Sequence, residues 1–150
     1  CTACQLVHYE NPLNVVGTIP SLGDRVLLCK RNIEPRKGKW TLPAGFMELG
    51  ESTAEGAARE TSEEAGAQFK MGSLFTVMSV PRVGQVHLYF LAELENEQFD
   101  PGFETQEARM FSETEIPWDD LAFRTVQETL KHYFADKKSG KFGVHTLNID

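Results

Sequence analysis

The sequence predicts a mixed α and β domain, with helices packed on a largely mixed sheet, and three observations carry that reading. Aliphatic and β-branched runs punctuated by glycine turns read as strands, one helix in mid-chain is signalled at both ends, and an amphipathic stretch near the C-terminus reads as a second helix. With 150 residues and 41% hydrophobic content, the chain can bury one core and has the length of a single domain.

Val15 to Pro20 and Arg25 to Lys30 flank Gly23 and Asp24, which predicts two strands joined by a turn. After the polar loop Asn32 to Lys39, Trp40 to Gly45 reads as a short strand broken by Pro43 and closed by a tight glycine turn. Ser52 with Glu55 three residues on forms a capping-box pair, in which each side chain satisfies an orphan backbone donor. Gly66 can take the left-handed conformation beyond the last turn, so a helix is predicted from Thr53 to Ala65. Ala54, Ala57, Ala58, Thr61 and Ala65 give it a narrow face of small side chains that lets it lie close against a sheet. Strands follow at Gln68 to Val80 and Gln85 to Leu94, and a short one at Ala108 to Phe111 after the loop Asn96 to Gln106. The last helix is predicted from Phe123 to Asp136, with Val126, Leu130, Tyr133 and Phe134 on its buried side. The tail beyond Ser139 contains Phe142, Val144 and Leu147, which points to packing, and no internal repeat or domain boundary shows.

A formal charge of -7 argues against nonspecific binding to nucleic acid or an anionic membrane, since those partners reward Lys and Arg clusters. No stretch approaches the roughly 20 apolar residues needed to span a bilayer, and the N-terminus lacks the features of a signal peptide. The chain is therefore expected to be cytoplasmic or otherwise intracellular. It opens at Cys1, not Met, so residues upstream are expected, in which any organelle-targeting segment would lie. Cys1 and Cys4 form a CxxC pair, two of the four ligands a structural Zn2+ site wants. Cys29 lies in an apolar run, as a buried, inert thiol does.

Glu60, Glu63 and Glu64 sit at i, i+3 and i+4, which sets three carboxylates on one side of the predicted helix. Arg59 is the one cation between Glu51 and Glu64, against five acids. Like charges at these spacings cost an isolated helix roughly a few tenths of a kcal/mol per pair, so a compensating partner is expected. One reading is a solvated acidic face; the other is a site for a hard divalent cation, which prefers oxygen ligands and bridges to substrate phosphates. The glycine turn at Gly45 favours the second, because it brings backbone carbonyls, that of Ala44 first, close to the helix entrance.

The stretch GFMELGESTAEGAARETSEEAGA, Gly45 to Ala67, resembles the Nudix box. That pattern runs Gly, five residues, Glu, seven residues, Arg-Glu, an aliphatic, any residue, Glu-Glu, any residue, Gly and an aliphatic. Gly45, Glu51, Arg59, Glu60, Glu63, Glu64 and Gly66 all fall at the required spacing, while Thr61 and Ala67 stand where larger aliphatics are usual. The resemblance implies an α/β/α sandwich, Mg2+ or Mn2+ held mainly by Glu60, Glu63 and Glu64, and Arg59 positioning Glu51. It also implies attack of water on one phosphorus of a pyrophosphate, with a glutamate as base. Family members differ in which glutamate serves: Glu63 and Glu64 are candidates from the box, and Glu107, ahead of Glu104, from the loop PGFETQEARMF.

Beyond the box, YENPLNVVGTIP, RVLLCKRNIEPRKGKW and the segment from Pro101 to Phe142 resemble Nudix proteins that carry a zinc ribbon ahead of the hydrolase domain. On that basis residues 1–12 are expected to be the remnant of a ribbon and 13–150 the hydrolase domain, with Zn2+ bound only if the missing half is supplied. Plant relatives of this kind are FAD pyrophosphohydrolases, so the resemblance ranks FAD and ADP-ribose first. NADH ranks lower, because the Gln-Pro-Trp-Pro-Phe-Pro signature of the NADH pyrophosphatases is absent. Phe46, Arg82 and Tyr89 are candidates for stacking on an adenine or flavin ring. A module that binds a nucleotide or a protein without hydrolysis is the alternative, and the complete set of box carboxylates argues against it. A homodimer through the apolar tail Phe142 to Ile149 is a further expectation.

Overall fold

The computed structural model describes residues 1–150. Eight strands and two helices form in the order β1 (Leu13–Leu22), β2 (Arg25–Arg31), β3 (Trp40–Thr41), β4 (Ala44–Phe46), α1 (Thr53–Ala65), β5 (Phe69–Val80), β6 (Gln85–Leu94), β7 (Thr105–Ser112), α2 (Arg124–Ser139) and β8 (His145–Asn148). Helix α1 has the predicted bounds because its signals are local. Ser52 and Glu55 form the reciprocal capping box, and Gly66 closes the helix at φ 57°, ψ 33°. Pro43 interrupts the third predicted strand as expected, leaving β3 before it and β4 after it. Strand β7 starts earlier than its residue types suggest, and the tail gains a strand, β8, parallel to β5.

The sheet is mixed: β1 runs parallel to β6 and antiparallel to its other partners, β2 and β4. After the Gly23–Asp24 turn, β1 and β2 pair only at Ser21–Val26 and Leu22–Arg25. They then separate, β1 taking β4 at Val15–Gly17 and β2 taking β3 and β7. The gap between them is where a cavity forms.

Strand alternation sends neighbouring residues to opposite layers. Val26 and Leu28 of β2 enter a cluster with Val126, Leu130, Tyr133 and Phe134 of α2, while Leu27 and Cys29 pack with Ala65 and Ala67 on the α1 side. Val16 and Phe90 meet Ala57 of α1. The result is an α/β/α sandwich. Thr61, the unusual polar residue of the box, is fully buried and satisfied: its hydroxyl donates to the Ala57 carbonyl at 2.8 Å and lies 2.6 Å from the Thr18 hydroxyl. Phe142 of the tail packs edge-on against Phe75 and near Tyr133. Neither helix is long and apolar enough to cross a membrane.

Candidate active site

A cavity of about 540 Å3 opens where β1 and β2 part. Its lining comes from β1 (Val15), β2 and the following loop (Arg31, Ile33, Pro35), β3 (Thr41), the Ala44–Glu48 stretch, α1 (Glu60, Glu64), β6 (Gln85, His87, Tyr89), Glu104 and Phe123. Four carboxylates, Glu48, Glu60, Glu64 and Glu104, face it against one permanent cation, Arg31.

Glu64 is largely buried, and its Oε2 accepts the backbone N–H of Ala44 at 3.0 Å. Burial pushes its carboxyl up to about 8, with the Glu60 and Glu104 charges adding to the rise and Arg31 opposing it. Glu60, 13% exposed, is also raised by burial, against the pull of Arg59. Its carboxyl rests on the backbone of Gly45, where a Cβ would fall 2.4 Å from the Glu60 carboxyl carbon. A side chain there would push the Glu60 carboxyl off the backbone, which accounts for glycine as the first residue of the box. Arg59 grips Glu51 through two donors, Nε to Oε2 at 3.0 Å and Nη2 to Oε1 at 2.9 Å, a bidentate pair. That grip, with the Glu48 N–H, holds the Glu51 carboxyl down at about 2. The same guanidinium reaches Glu60 at 2.7 Å, Glu63 at 3.3 Å and the Phe46 carbonyl at 3.1 Å.

The three glutamates therefore do not all converge as drawn from helix geometry alone. Glu60 and Glu64 share the cavity, whereas Glu63 is 61% exposed and turned toward Arg59, and no three acidic, His or Cys side chains are gathered at metal-holding distances. Of the loop acids, Glu104 lines the cavity and Glu107 does not. Glu107 sits on β7 opposite Lys30, with its carboxylate 3.8 Å from Arg109. β-strand alternation turns it away, a consequence of β7 starting before Ala108. The loop carrying Glu104 is tied to the end of α1: Asp100 N–H donates to the Ala65 carbonyl at 3.1 Å and Gly102 N–H to the Glu63 carbonyl at 3.2 Å. A Cβ on Gly102 would lie 2.4 Å from that Glu63 oxygen.

Phe46 lines the cavity and is 53% exposed as a residue, as a stacking platform requires. Tyr89 also lines it but is buried in the core, where desolvation raises its phenol, so its ring offers no free face. Arg82 lies on a 3-10 turn, Pro81–Val83, and does not line the cavity. Cys29 is buried and its thiol strongly raised by desolvation, as an inert core residue would be. Cys1 and Cys4 are exposed.

Arg31 was not visible from the sequence. Its Nε donates to the Pro35 carbonyl at 2.8 Å and its guanidinium lies 5.0 Å from the Phe123 ring centroid, while both Nη groups lack a carboxylate partner. A cation at the end of a strand carries no spacing signal, and its place opposite Glu64 depends on the parting of β1 and β2.

The NUDIX domain family matches residues 12–135. The chain belongs to the Nudix hydrolase family. The Nudix box thus lies on β4, the following loop and α1, with its two departures absorbed by the Thr18–Thr61 contact and by the packing of Ala67 against Leu27 and Leu94. An ADP-ribose pyrophosphatase of Methanocaldococcus jannaschii is 33% identical over 113 residues, covering 73% of this chain and 67% of its own. The NAD-capped RNA hydrolase NudC of Vibrio parahaemolyticus is 25% identical over 141 residues, 91% of this chain, which spans 54% of that relative's length. Among solved structures, a NUDIX hydrolase from Nitrosomonas europaea superposes with a TM-score of 0.95 at 48% identity, covering 99% of this chain and 85% of that one.

Proposed function

We propose that this chain is a divalent-metal-dependent pyrophosphohydrolase that cleaves the P–O–P bond of an adenosine diphosphate derivative, with ADP-ribose and FAD first and NADH after them. The observation that carries the reading is the buried pair Glu60 and Glu64 in a cavity lined by one permanent cation. Burial raises both carboxyls because the chain supplies too little positive charge for them. Hard carboxylate oxygens beside the Ala44 and Gly45 backbone form a donor set suited to Mg2+ or Mn2+. Glu60, Glu63 and Glu64 with the Ala44 carbonyl would hold the ion, Glu60 and Glu63 giving up Arg59 to do so. When bound, the ion neutralises charge on the nonbridging phosphate oxygens.

The remaining work falls to the chain's own groups. Arg31, fixed through Nε and stacked on Phe123, offers its two Nη groups to the diphosphate. Glu104 takes a proton from the water that attacks phosphorus, while the P–O bond to the second phosphate breaks and that phosphate leaves with the electron pair; Glu63 or Glu64 is the alternative base. Glu104 replaces Glu107 in this role because it alone of the two faces the cavity. Arg59 keeps Glu51 ionised and the turn before α1 in place, and Phe46 stacks on the base. The name of the archaeal relative supports ADP-ribose, and the NudC relatives keep NAD-type pyrophosphates in consideration. Cys1 and Cys4 would hold Zn2+ only with two ligands from outside residues 1–12.

The test is product release from ADP-ribose, FAD, NADH, a diadenosine polyphosphate and nucleoside triphosphates, with and without Mg2+, beside Glu64→Gln. AMP with ribose 5-phosphate, or AMP with FMN, formed only with metal and not by the variant, supports the assignment. If Mg2+ binds in calorimetry and nothing is turned over, the chain is a nucleotide-binding regulator instead.

A further inference from the structure

Strand β6 forms one wall of the cavity and presents Gln85, His87 and Tyr89 to it at every second position. The β register places His87 beside Val15 and Val15 beside Phe46, so these three side chains form one row across the cavity wall. His87 is only 8% exposed. Its Nε2 lies 2.9 Å from Gln85 Oε1, and its Nδ1 is sealed from solvent with no partner. The Gln85 oxygen only accepts, so Nε2 carries the proton and Nδ1 is left as a bare acceptor. Burial holds the imidazole at about 4, which keeps the ring neutral at physiological pH, with one nitrogen a donor and the other an acceptor. Buried polar atoms are ordinarily paired, and an unpaired one on a side chain that lines a cavity can take its partner from a ligand.

The geometry points to His87 and Gln85 as the pair that reads the hydrogen-bonding edge of an adenine-type base stacked on Phe46. This rests on the diphosphate chemistry placed at the Glu60 and Glu64 end, and it adds the specificity of the opposite end. The Gln85 amide NH2 donates to N1 of the base and the exocyclic amino group donates to His87 Nδ1, the imidazole turning as the base enters and giving up its Nε2–Gln85 contact in exchange. A 6-oxo purine inverts this pattern, offering an acceptor where His87 also accepts and an N–H where Gln85 donates. Phe46 and Val15 bind either base equally, so discrimination belongs to the polar pair.

The test compares kcat and KM for ADP-ribose and its inosine analogue in the wild type, His87→Leu, Gln85→Leu and Phe46→Ala. The wild type should prefer the adenine substrate by about tenfold or more. His87→Leu and Gln85→Leu should raise KM for the adenine compound, leave kcat nearly unchanged and bring the ratio toward one. Phe46→Ala should weaken both substrates and preserve the ratio. Calorimetric binding of AMP against IMP, with and without the variants, separates this inference from the hydrolytic reading. A preference for AMP that His87→Leu removes sustains it even if nothing is hydrolysed. Equal binding of AMP and IMP by the wild type, no binding of either, or a ratio unmoved by both variants overturns it. Melting curves check that His87→Leu folds, as removal of an unpartnered buried polar atom leads one to expect.

Discussion

The two helices of the sandwich are built on opposite terms. Helix α1 buries Gly56, Ala57, Thr61 and Ala65, whereas α2 buries Val126, Leu130, Tyr133 and Phe134 among others. Helix α1 is closed at its N-terminus by a full capping box; α2 starts after Phe123 with no side-chain cap. Small buried residues let α1 lie close enough to β4 for the Glu60 carboxyl to rest on Gly45 and Glu64 to accept from Ala44. The cost is little apolar area, so local devices hold the helix. Large side chains hold α2, and caps become dispensable, because tertiary packing supplies most helical stability. One helix is built to place charge and the other to supply cohesion.

The largest expected effect divides the two roles. Glu64→Gln should lower kcat on the order of 10^3-fold, equivalent to about 4 kcal/mol, with no loss of melting temperature, since it removes a buried group that gains charge at a cost. On the other helix, Leu130→Ala opens a cavity in the main core and should destabilise by about 2–5 kcal/mol in denaturant titration. Its kcat/KM per folded molecule should stay near the wild-type value. If Leu130→Ala abolished turnover in folded protein, the division would fail. Ser52→Ala, which breaks the α1 cap, should cost about 1 kcal/mol, whereas α2 has no capping side chain to lose.

The smallest effect concerns pH. The Ser52 backbone and side chain hold the Glu55 carboxyl below its ordinary value, so the cap stabilises α1 fully above about pH 4.5 and is lost as pH falls through the lower folded value. Amide chemical shifts over the first turn of α1 should move toward coil values as pH falls below the ordinary carboxylate range, while those of the first turn of α2, which has no acidic residue, stay in place. Equal changes in both helices would show that the acid transition is global.

The same contrast explains what could be read in advance. Ser52, Glu55, Gly66 and the box glutamates act on neighbours within one turn, so their spacing discloses α1 and its charge. Strand β8 was not legible because His145 to Asn148 pairs with Thr76 to Ser79, nearly seventy residues earlier, and nothing in its own pattern announces that partner. Arg31, Glu104 and His87 reach the cavity from three separate segments. Their chemistry depends on where β1 leaves β2 and where β7 begins. That Glu104 and not Glu107 lines the cavity was hidden for the same reason: the side of a strand a residue faces follows from its register, and β7 starts three residues earlier than the sequence showed.

The two hydrogen bonds from Asp100 and Gly102 to the last turn of α1 fix one jamb of the cavity. A loop pinned by its backbone to a helix end, with a glycine packed against that helix's carbonyl, has no slack to swing as a door. The opposite jamb is tied as well, with Met47 N–H donating to the Asn14 carbonyl and Glu48 N–H to Glu51, so both sides of the cavity are held by backbone before any ligand arrives.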